Sequence, residues 1–219
     1  GHSSTSISAG LGYVAAREIS REPYNVISVI GDGALTGGMA YEALNNASRV
    51  KSNFIIVLND NKMSISENVG GISNVLSEIR SSDSYYDLKE GVMNTLYKLP
   101  KGDALVSKIR KTKSNIKQLI IPNQFFEGMG ISYLGPVNGH DIDKLIKIFR
   151  VAKRIDHAVL IHVVTQKGHG YKPAERNPSK FHGVSPFDIK TGNVIKSSNR
   201  SSYSDVFSEK ICELAKKDK

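Results

Sequence analysis

Two short acidic turns, each ending an apolar run, hold the oxygen groups best placed for chemistry: Val26-Ile-Ser-Val-Ile30 runs into Gly31-Asp32-Gly33, and Ile55-Ile-Val-Leu58 into Asn59-Asp60-Asn61. Such runs read as buried parallel strands, and ligands of open α/β sheets gather at the strand C-terminal ends. Asp32 and Asn61 are therefore candidates to face one ion. A hard cation such as Mg²⁺ takes carboxylate, amide or backbone oxygens, water and phosphate oxygens, and this pair offers the first two kinds. The glycines flanking Asp32 remove Cβ bulk, so backbone can approach a phosphate closely. Gly-Asp-Gly also suits an ordinary turn. A second acidic turn 29 residues on, with one helix fitting between, favours the functional reading.

The elements that must position these turns follow the α/β order. Ser3-Ser4-Thr5 is read as the cap of a helix through about Ile19, and Gly10 and Gly12 within it suggest close packing. Strands are expected at Val26–Ile30, Phe54–Leu58, Ile131–Leu134 and Ala158–Val164, and helices at Met39–Arg49, 73–80, 87–98, 103–119, Asp141–Arg154 and 204–217. A parallel sheet with flanking helices and a helical insertion at about 62–123 is the expected architecture. Residues 63–71 are polar and end in two glycines, which suits a functional loop. Residues 184–203 read as a linker, and the run from 196 to 202 is rich in serine.

Composition narrows the class. The 219 residues carry a net charge of +9, placed unevenly: 8 Lys/Arg against 10 Asp/Glu in residues 1–100, and 22 against 11 in 101–219. Nucleic-acid binding is one reason for a basic half, but these lysines are scattered on helical patterns without interleaved aromatics. No stretch approaches the run of about 20 apolar residues that a membrane helix needs, so no membrane partner is expected. The single cysteine, Cys212, cannot form an internal disulfide, which fits a reducing, cytoplasmic setting. Its place on an apolar helical face predicts a plain buried thiol.

Asp32 followed by Asn61 resembles the thiamine-diphosphate motif, Gly-Asp-Gly with an Asn pair or Asn-x-Asn some thirty residues later. Longer stretches narrow the resemblance: Gly1-His-Ser-Ser-Thr-Ser-Ile-Ser8, Asn59-Asp-Asn-Lys-Met-Ser-Ile-Ser-Glu-Asn68, Leu134-Gly-Pro-Val-Asn-Gly-His-Asp141 and Lys167-Gly-His-Gly-Tyr171. Together they resemble the 1-deoxy-D-xylulose-5-phosphate synthase family of transketolase-like enzymes. The likeness runs through about residue 183 and on into the final helix.

The resemblance implies a fold, a reaction and a set of site residues. Residues 1–183 would be a thiamine-diphosphate-binding domain that holds the diphosphate, and 204–219 the first helix of a pyrimidine-binding domain. Pyruvate and glyceraldehyde 3-phosphate would condense to 1-deoxy-D-xylulose 5-phosphate and CO₂, with thiamine diphosphate and Mg²⁺ as cofactors and a homodimer as the working form. Asp32, Asn61 and the Met63 carbonyl would bind the metal. Gly33 and Ala34 would approach the diphosphate by backbone, and Gly1, His2, Ser3, Asn61 and Tyr171 would add cofactor contacts. His182 would face the substrate, in proton transfer or phosphate binding. The family also carries a segment before the position of Gly1 and the remaining pyrimidine-binding domain, so these 219 residues alone are expected to lack synthase activity.

Blander readings stand beside these. Tyr171 also suits loop packing, and His182 a surface position. His140 and Asp141 read as a helix-capping motif, His162 as a hydrogen-bonded core residue and His157 as exposed. A second ketol transferase chemistry, or an α/β binding module without catalysis, would use the same sheet.

Overall fold

The computed structural model describes residues 2–81, 124–195 and 201–218. The expected helices at 87–98 and 103–119, the run from 196 to 200 and Gly1 lie outside them. In chain order the elements are α1 (Ser6–Ser20), β1 (Ile27–Gly31), α2 (Asp32–Leu35), α3 (Gly38–Ala47), β2 (Phe54–Asp60), α4 (Gly71–Ser81), α5 (Gln124–Gly128), β3 (Ser132–Asn138), α6 (Ile142–Ala152), β4 (Ala158–Val164), α7 (Lys172–Arg176) and α8 (Tyr203–Lys217). The chain divides into two compact units, Gly1–His169 and Gly170–Lys219.

The first unit is a four-stranded, all-parallel sheet in the order β1-β2-β4-β3. The central strands β2 and β4 are apolar on both faces, which requires cover on both. Phe54, Ile56, Leu58 and Leu160 pack with residues of α1, α3 and α4 on one face; Ile55, Val57, Val159 and Ile161 pack with Ala152 and Phe149 of α6 on the other. The expected parallel sheet with flanking helices is therefore the fold observed.

Because all four strands run the same way, their C-terminal ends form one edge. Asp32 follows β1 there, and Asp60 closes β2; the register Gly31↔Asn59 brings these ends level. Where a turn was expected after β1, the chain enters α2 at once, so two helices rather than one separate Asp32 from β2. Strand β3 runs past Leu134 through Pro136 to Asn138. Proline lacks the N–H of an inner ladder, but β3 is an edge strand with a register shift between Leu134 and Val137, where proline is tolerated.

Other expectations are corrected locally. Helix α1 has no side-chain cap: Thr5 Oγ1 donates to His2 O, and Ser4 Oγ donates to Ala34 O at 2.7 Å. The serine is used to tie the N-terminal segment to the turn after β1. His157 is half-buried rather than exposed, bonded to Ser132 Oγ and Asp156. His162 is a buried, hydrogen-bonded core residue, and Asp141 caps α6 by accepting from Lys144 N at 3.0 Å, both as read.

In the second unit, Tyr171, Phe181 and Phe187 form an aromatic cluster, closed by a Phe187↔Val194 bridge. Residues 184–195, read as linker from their composition, therefore hold regular backbone bonds, including Asp188 N to Asn193 O. Helix α8 begins at a Ser202–Asp205 capping box and is exposed along its length. Cys212 is consequently exposed, not buried, because the apolar side of α8 is left uncovered.

The two glycines of α1 differ in their surroundings. A Cβ on Gly10 would fall 2.2 Å from Ser28 Oγ and 2.7 Å from the Phe54 ring, whereas one on Gly12 meets nothing. Ser28 Oγ already donates to Ser6 O, so it cannot easily yield. In urea unfolding, Gly10→Ala is expected to destabilise by about 1–3 kcal/mol. Gly12→Ala, on the exposed side, is expected to stabilise by up to about 1 kcal/mol. Equal effects at the two positions would contradict the packing of α1 on β1 and β2.

Candidate functional site

Asp32 and Asp60 are both buried at the shared strand edge, 2 % and 0 % exposed. A carboxylate removed from water needs compensation, and the two receive it very unequally. Asp60 Oδ2 takes a bond from Arg80 Nη1 of α4 and lies 2.8 Å from His162 Nε2; its Oδ1 accepts from Lys62 N at 3.1 Å. On the far side of the imidazole, Tyr133 Oη lies 2.7 Å from Nδ1. An Nε2–H tautomer satisfies both contacts, donating to Asp60 and accepting from Tyr133. Burial pushes the Asp60 carboxyl up, but the hydrogen bonds from His162 and Arg80 and their electrostatic attraction outweigh it and hold it at about 2.

Asp32 stands without such a cation. Its Oδ2 accepts from Asn68 Nδ2 at 2.7 Å, and among the described residues it forms no ion pair. Burial, first, and the facing Asp60, second, push its carboxyl up to about 6, against the backbone N–H groups of Gly33 and Lys62. Among the described residues, Arg80 and His162 therefore both sit on the Asp60 side of the corner.

The loop after β2 folds back over Asp32. Lys62 adopts φ 67°, and a short antiparallel bridge pairs Met63 with Glu67. Its two bonds run Ser64 N to Ser66 O and Asn68 N to Lys62 O, so the Met63 carbonyl is not used in the bridge. Asn61 Oδ1 accepts from Met63 N at 3.0 Å, an Asx turn that leaves one of its two lone pairs. Lys167 Nζ, from the loop after β4, donates to Ser64 O. Ser73 Oγ donates to Asn68 O at 3.1 Å. Against Gly33 lies this same loop: a Cβ there would fall 2.6 Å from Ser64 Cβ and 3.2 Å from Asn68 Oδ1.

Of the residues read from the sequence, the first unit gathers Asp32, Gly33, Asn61 and Met63 at one strand edge. Ala34 O is held by Ser4 Oγ, which brings the segment carrying His2 and Ser3 to the same turn; both of those residues are exposed. Gly1 lies outside the described residues. Tyr171 and His182 belong to the second unit, where Tyr171 Oη donates to Ile189 O at 2.8 Å. Asp60 as a structural partner, Asn68 and Arg80 were not singled out by the sequence. Asp60 directly precedes the marked Asn61, and Asn68 and Arg80 reach the site through the path of the loop.

Whether these groups fit a divalent cation is a question of donors. Among the described residues no three His, Cys, Asp or Glu side chains gather as a metal cluster. Among the described residues the site instead presents a carboxylate without an ion pair, an amide oxygen with a spare lone pair and a backbone carbonyl that the bridge does not use. A hard cation completed by phosphate oxygens and water takes such a mixed oxygen set, and it would relieve the repulsion between Asp32 and Asp60. The residues fit the group.

The comparisons bear on the whole chain. A family model described as 1-deoxy-D-xylulose-5-phosphate synthase matches residues 1–165. A 1-deoxy-D-xylulose-5-phosphate synthase of Lachnoclostridium phytofermentans is 56 % identical over 217 residues, 99 % of this chain and 35 % of the relative. One from Clostridium botulinum is 50 % identical over 219 residues, 100 % of this chain and again 35 % of the relative. The chain therefore spans about a third of the length of the curated relatives it matches. Among solved structures, transketolase from Campylobacter jejuni is similar in fold, with a TM-score of 0.50 and 19 % identity, covering 80 % of this chain and 21 % of that one. No described helix is long and apolar enough to cross a membrane. With its long family match and its half-identical relatives, the chain belongs to the 1-deoxy-D-xylulose-5-phosphate synthase family.

Proposed function

We propose that the protein catalyses the thiamine-diphosphate- and Mg²⁺-dependent condensation of pyruvate with glyceraldehyde 3-phosphate to 1-deoxy-D-xylulose 5-phosphate and CO₂, feeding isoprenoid-precursor, thiamine and pyridoxal synthesis. The described chain would supply the metal and diphosphate end of the site. The single observation that carries this reading is the buried Asp32 carboxylate, which forms no ion pair among the described residues and faces a second carboxylate at a parallel strand end. Family membership supports the choice of reaction.

Asp32, Asn61 Oδ1 and the Met63 carbonyl would hold Mg²⁺, and the backbone of Gly33 and Ala34, with His2 and Ser3, would line the diphosphate. Bound thiamine diphosphate supplies the electron sink for decarboxylation and carbon–carbon bond formation. The chain's own part is to orient that group and neutralise its phosphates. His182 is proposed to face substrate and Tyr171 the cofactor. With its hydroxyl bonded to Ile189 O, Tyr171 would contribute its ring more readily than a donor. A homodimer in the cytoplasm, acting on neither nucleic acid nor membrane, completes the reading.

The charge arrangement and the family likeness together give three expectations. In calorimetry on the full-length protein, thiamine diphosphate binding should require Mg²⁺, and Asp32→Ala should weaken it by at least about tenfold. Salt-sensitive DNA binding with no such requirement would make the chain a binding module. In activity measurements, pyruvate should serve as donor where xylulose 5-phosphate does not; the reverse would make the protein a transketolase-like ketol transferase.

The third concerns pH. Asp32 ionises at about 6 when folded and near 3.8 when unfolded, so between these values the folded chain holds the extra proton. Stability contributed below pH 4 is therefore lost as pH rises through 6. Without metal or cofactor, Asp32→Asn should be more stable than the parent at pH 7.5, by on the order of 2 kcal/mol, and no more stable at pH 4. A difference independent of pH would remove the charge argument.

A further inference from the structure

Asn68 occupies a position that the metal reading does not itself require. Its backbone is tied on both sides, N–H to Lys62 O at 3.2 Å and C=O from Ser73 Oγ at 3.1 Å, so its side chain is held over Asp32 by the loop that also carries Met63. From there Nδ2 donates to Asp32 Oδ2 at 2.7 Å. This bond holds Oδ2, while the backbone N–H groups of Gly33 and Lys62 also approach the carboxyl and Asp60 faces it. Glycine at position 33 lets this loop lie close, because a Cβ there would meet Ser64 Cβ at 2.6 Å and Asn68 Oδ1 at 3.2 Å.

A carboxylate binds a cation through one oxygen or through both, and the choice separates two ions. Mg²⁺ demands near-ideal octahedral geometry at short distances, which a single oxygen serves; Ca²⁺ accepts six to eight oxygens and takes carboxylates in either mode. A hydrogen bond to one oxygen takes one of its two lone pairs and draws charge from it, which disfavours the bidentate mode. Resting on the metal reading above, we propose that Asn68 is a positioning residue for the divalent cation: by holding Oδ2 it makes Asp32 a one-oxygen ligand and biases the site toward Mg²⁺ over Ca²⁺. Asn68 touches neither metal nor substrate in this role. It acts through Asp32, and it links the order of the 62–68 loop to the charge that loop covers.

The test uses the full-length protein, titrated separately with Mg²⁺ and Ca²⁺ in the presence of thiamine diphosphate, with cofactor binding followed by calorimetry. Asn68→Ala should weaken the Mg²⁺ requirement's half-saturation by about tenfold. The Ca²⁺ value should move by no more than about threefold, because the freed Oδ2 compensates a larger ion. Asn68→Leu, which keeps the branched shape against Gly33 and lacks the donor, should show the same change in the Mg²⁺/Ca²⁺ ratio. Parallel weakening for both ions in both variants would reduce Asn68 to a loop brace and overturn the proposal. Unchanged values, or tighter Mg²⁺ binding, would overturn it too, the latter making the amide a competitor for the cation's place. If the parent protein takes up thiamine diphosphate with no metal requirement, the underlying metal reading fails instead, and the two failures are distinguishable.

Discussion

Two carboxylates share one buried corner of the sheet, Asp32 after β1 and Asp60 at the end of β2, and among the described residues only Asp60 is ion-paired. Arg80 and His162 hold the Asp60 carboxyl well below the usual carboxylate range, which keeps it charged near neutral pH. The cost falls on Asp32, which is desolvated and faces that charge. In an ordinary core, such a pair would be removed or neutralised. Retaining it at the C-terminal edge of a parallel sheet makes sense when a diffusible cation supplies the missing charge.

The remainder of the first unit can be understood as keeping that corner rigid. Parallel pairing levels the ends of β1 and β2, and apolar cover on both faces of β2 and on one face of β1 fixes those strands against slippage. The Tyr133–His162–Asp60 chain crosses from β3 through β4 to β2, so a strand far from Asp32 in sequence helps set its electrostatics. Gly10 lets α1 lie close against Ser28 and Phe54, while Ser4 joins the N-terminal segment to Ala34. The loop over Asp32 is anchored at three separate points, by Lys62 O, Ser73 and Lys167.

Much of this was legible in the sequence, for identifiable reasons. The apolar run at 54–58, and the one at 158–164 broken only by His162, signal strands buried on both faces, and both are the central strands. Gly-Asp-Gly and Asn-Asp-Asn after such runs mark strand ends, so Asp32, Asn61 and Met63 reach one edge. His162 inside a buried run had to find hydrogen-bond partners, and does. What escaped depends on contacts that periodicity does not encode. Arg80 lies on an ordinary helical pattern, and its meeting with Asp60 follows only from the path of the loop between them. Asn68 reads as one polar residue among several until the bridge between Met63 and Glu67 turns it back on Asp32. Serine and threonine before α1 look like caps, yet a competing carbonyl at Ala34 takes Ser4. Cys212 shows the limit of a helical stripe, which marks a face that favours burial but not what buries it.

The most direct measurement is a crystal structure of the full-length protein grown with thiamine diphosphate and Mn²⁺, located by its anomalous signal. A single strong peak is expected, with oxygens of Asp32, Asn61 and the Met63 carbonyl at about 2.1 Å, the distance a small hard cation adopts. A peak elsewhere, or a bound diphosphate with Asp32 still facing only Asn68 and Asp60, would contradict the central role given to that uncompensated carboxylate.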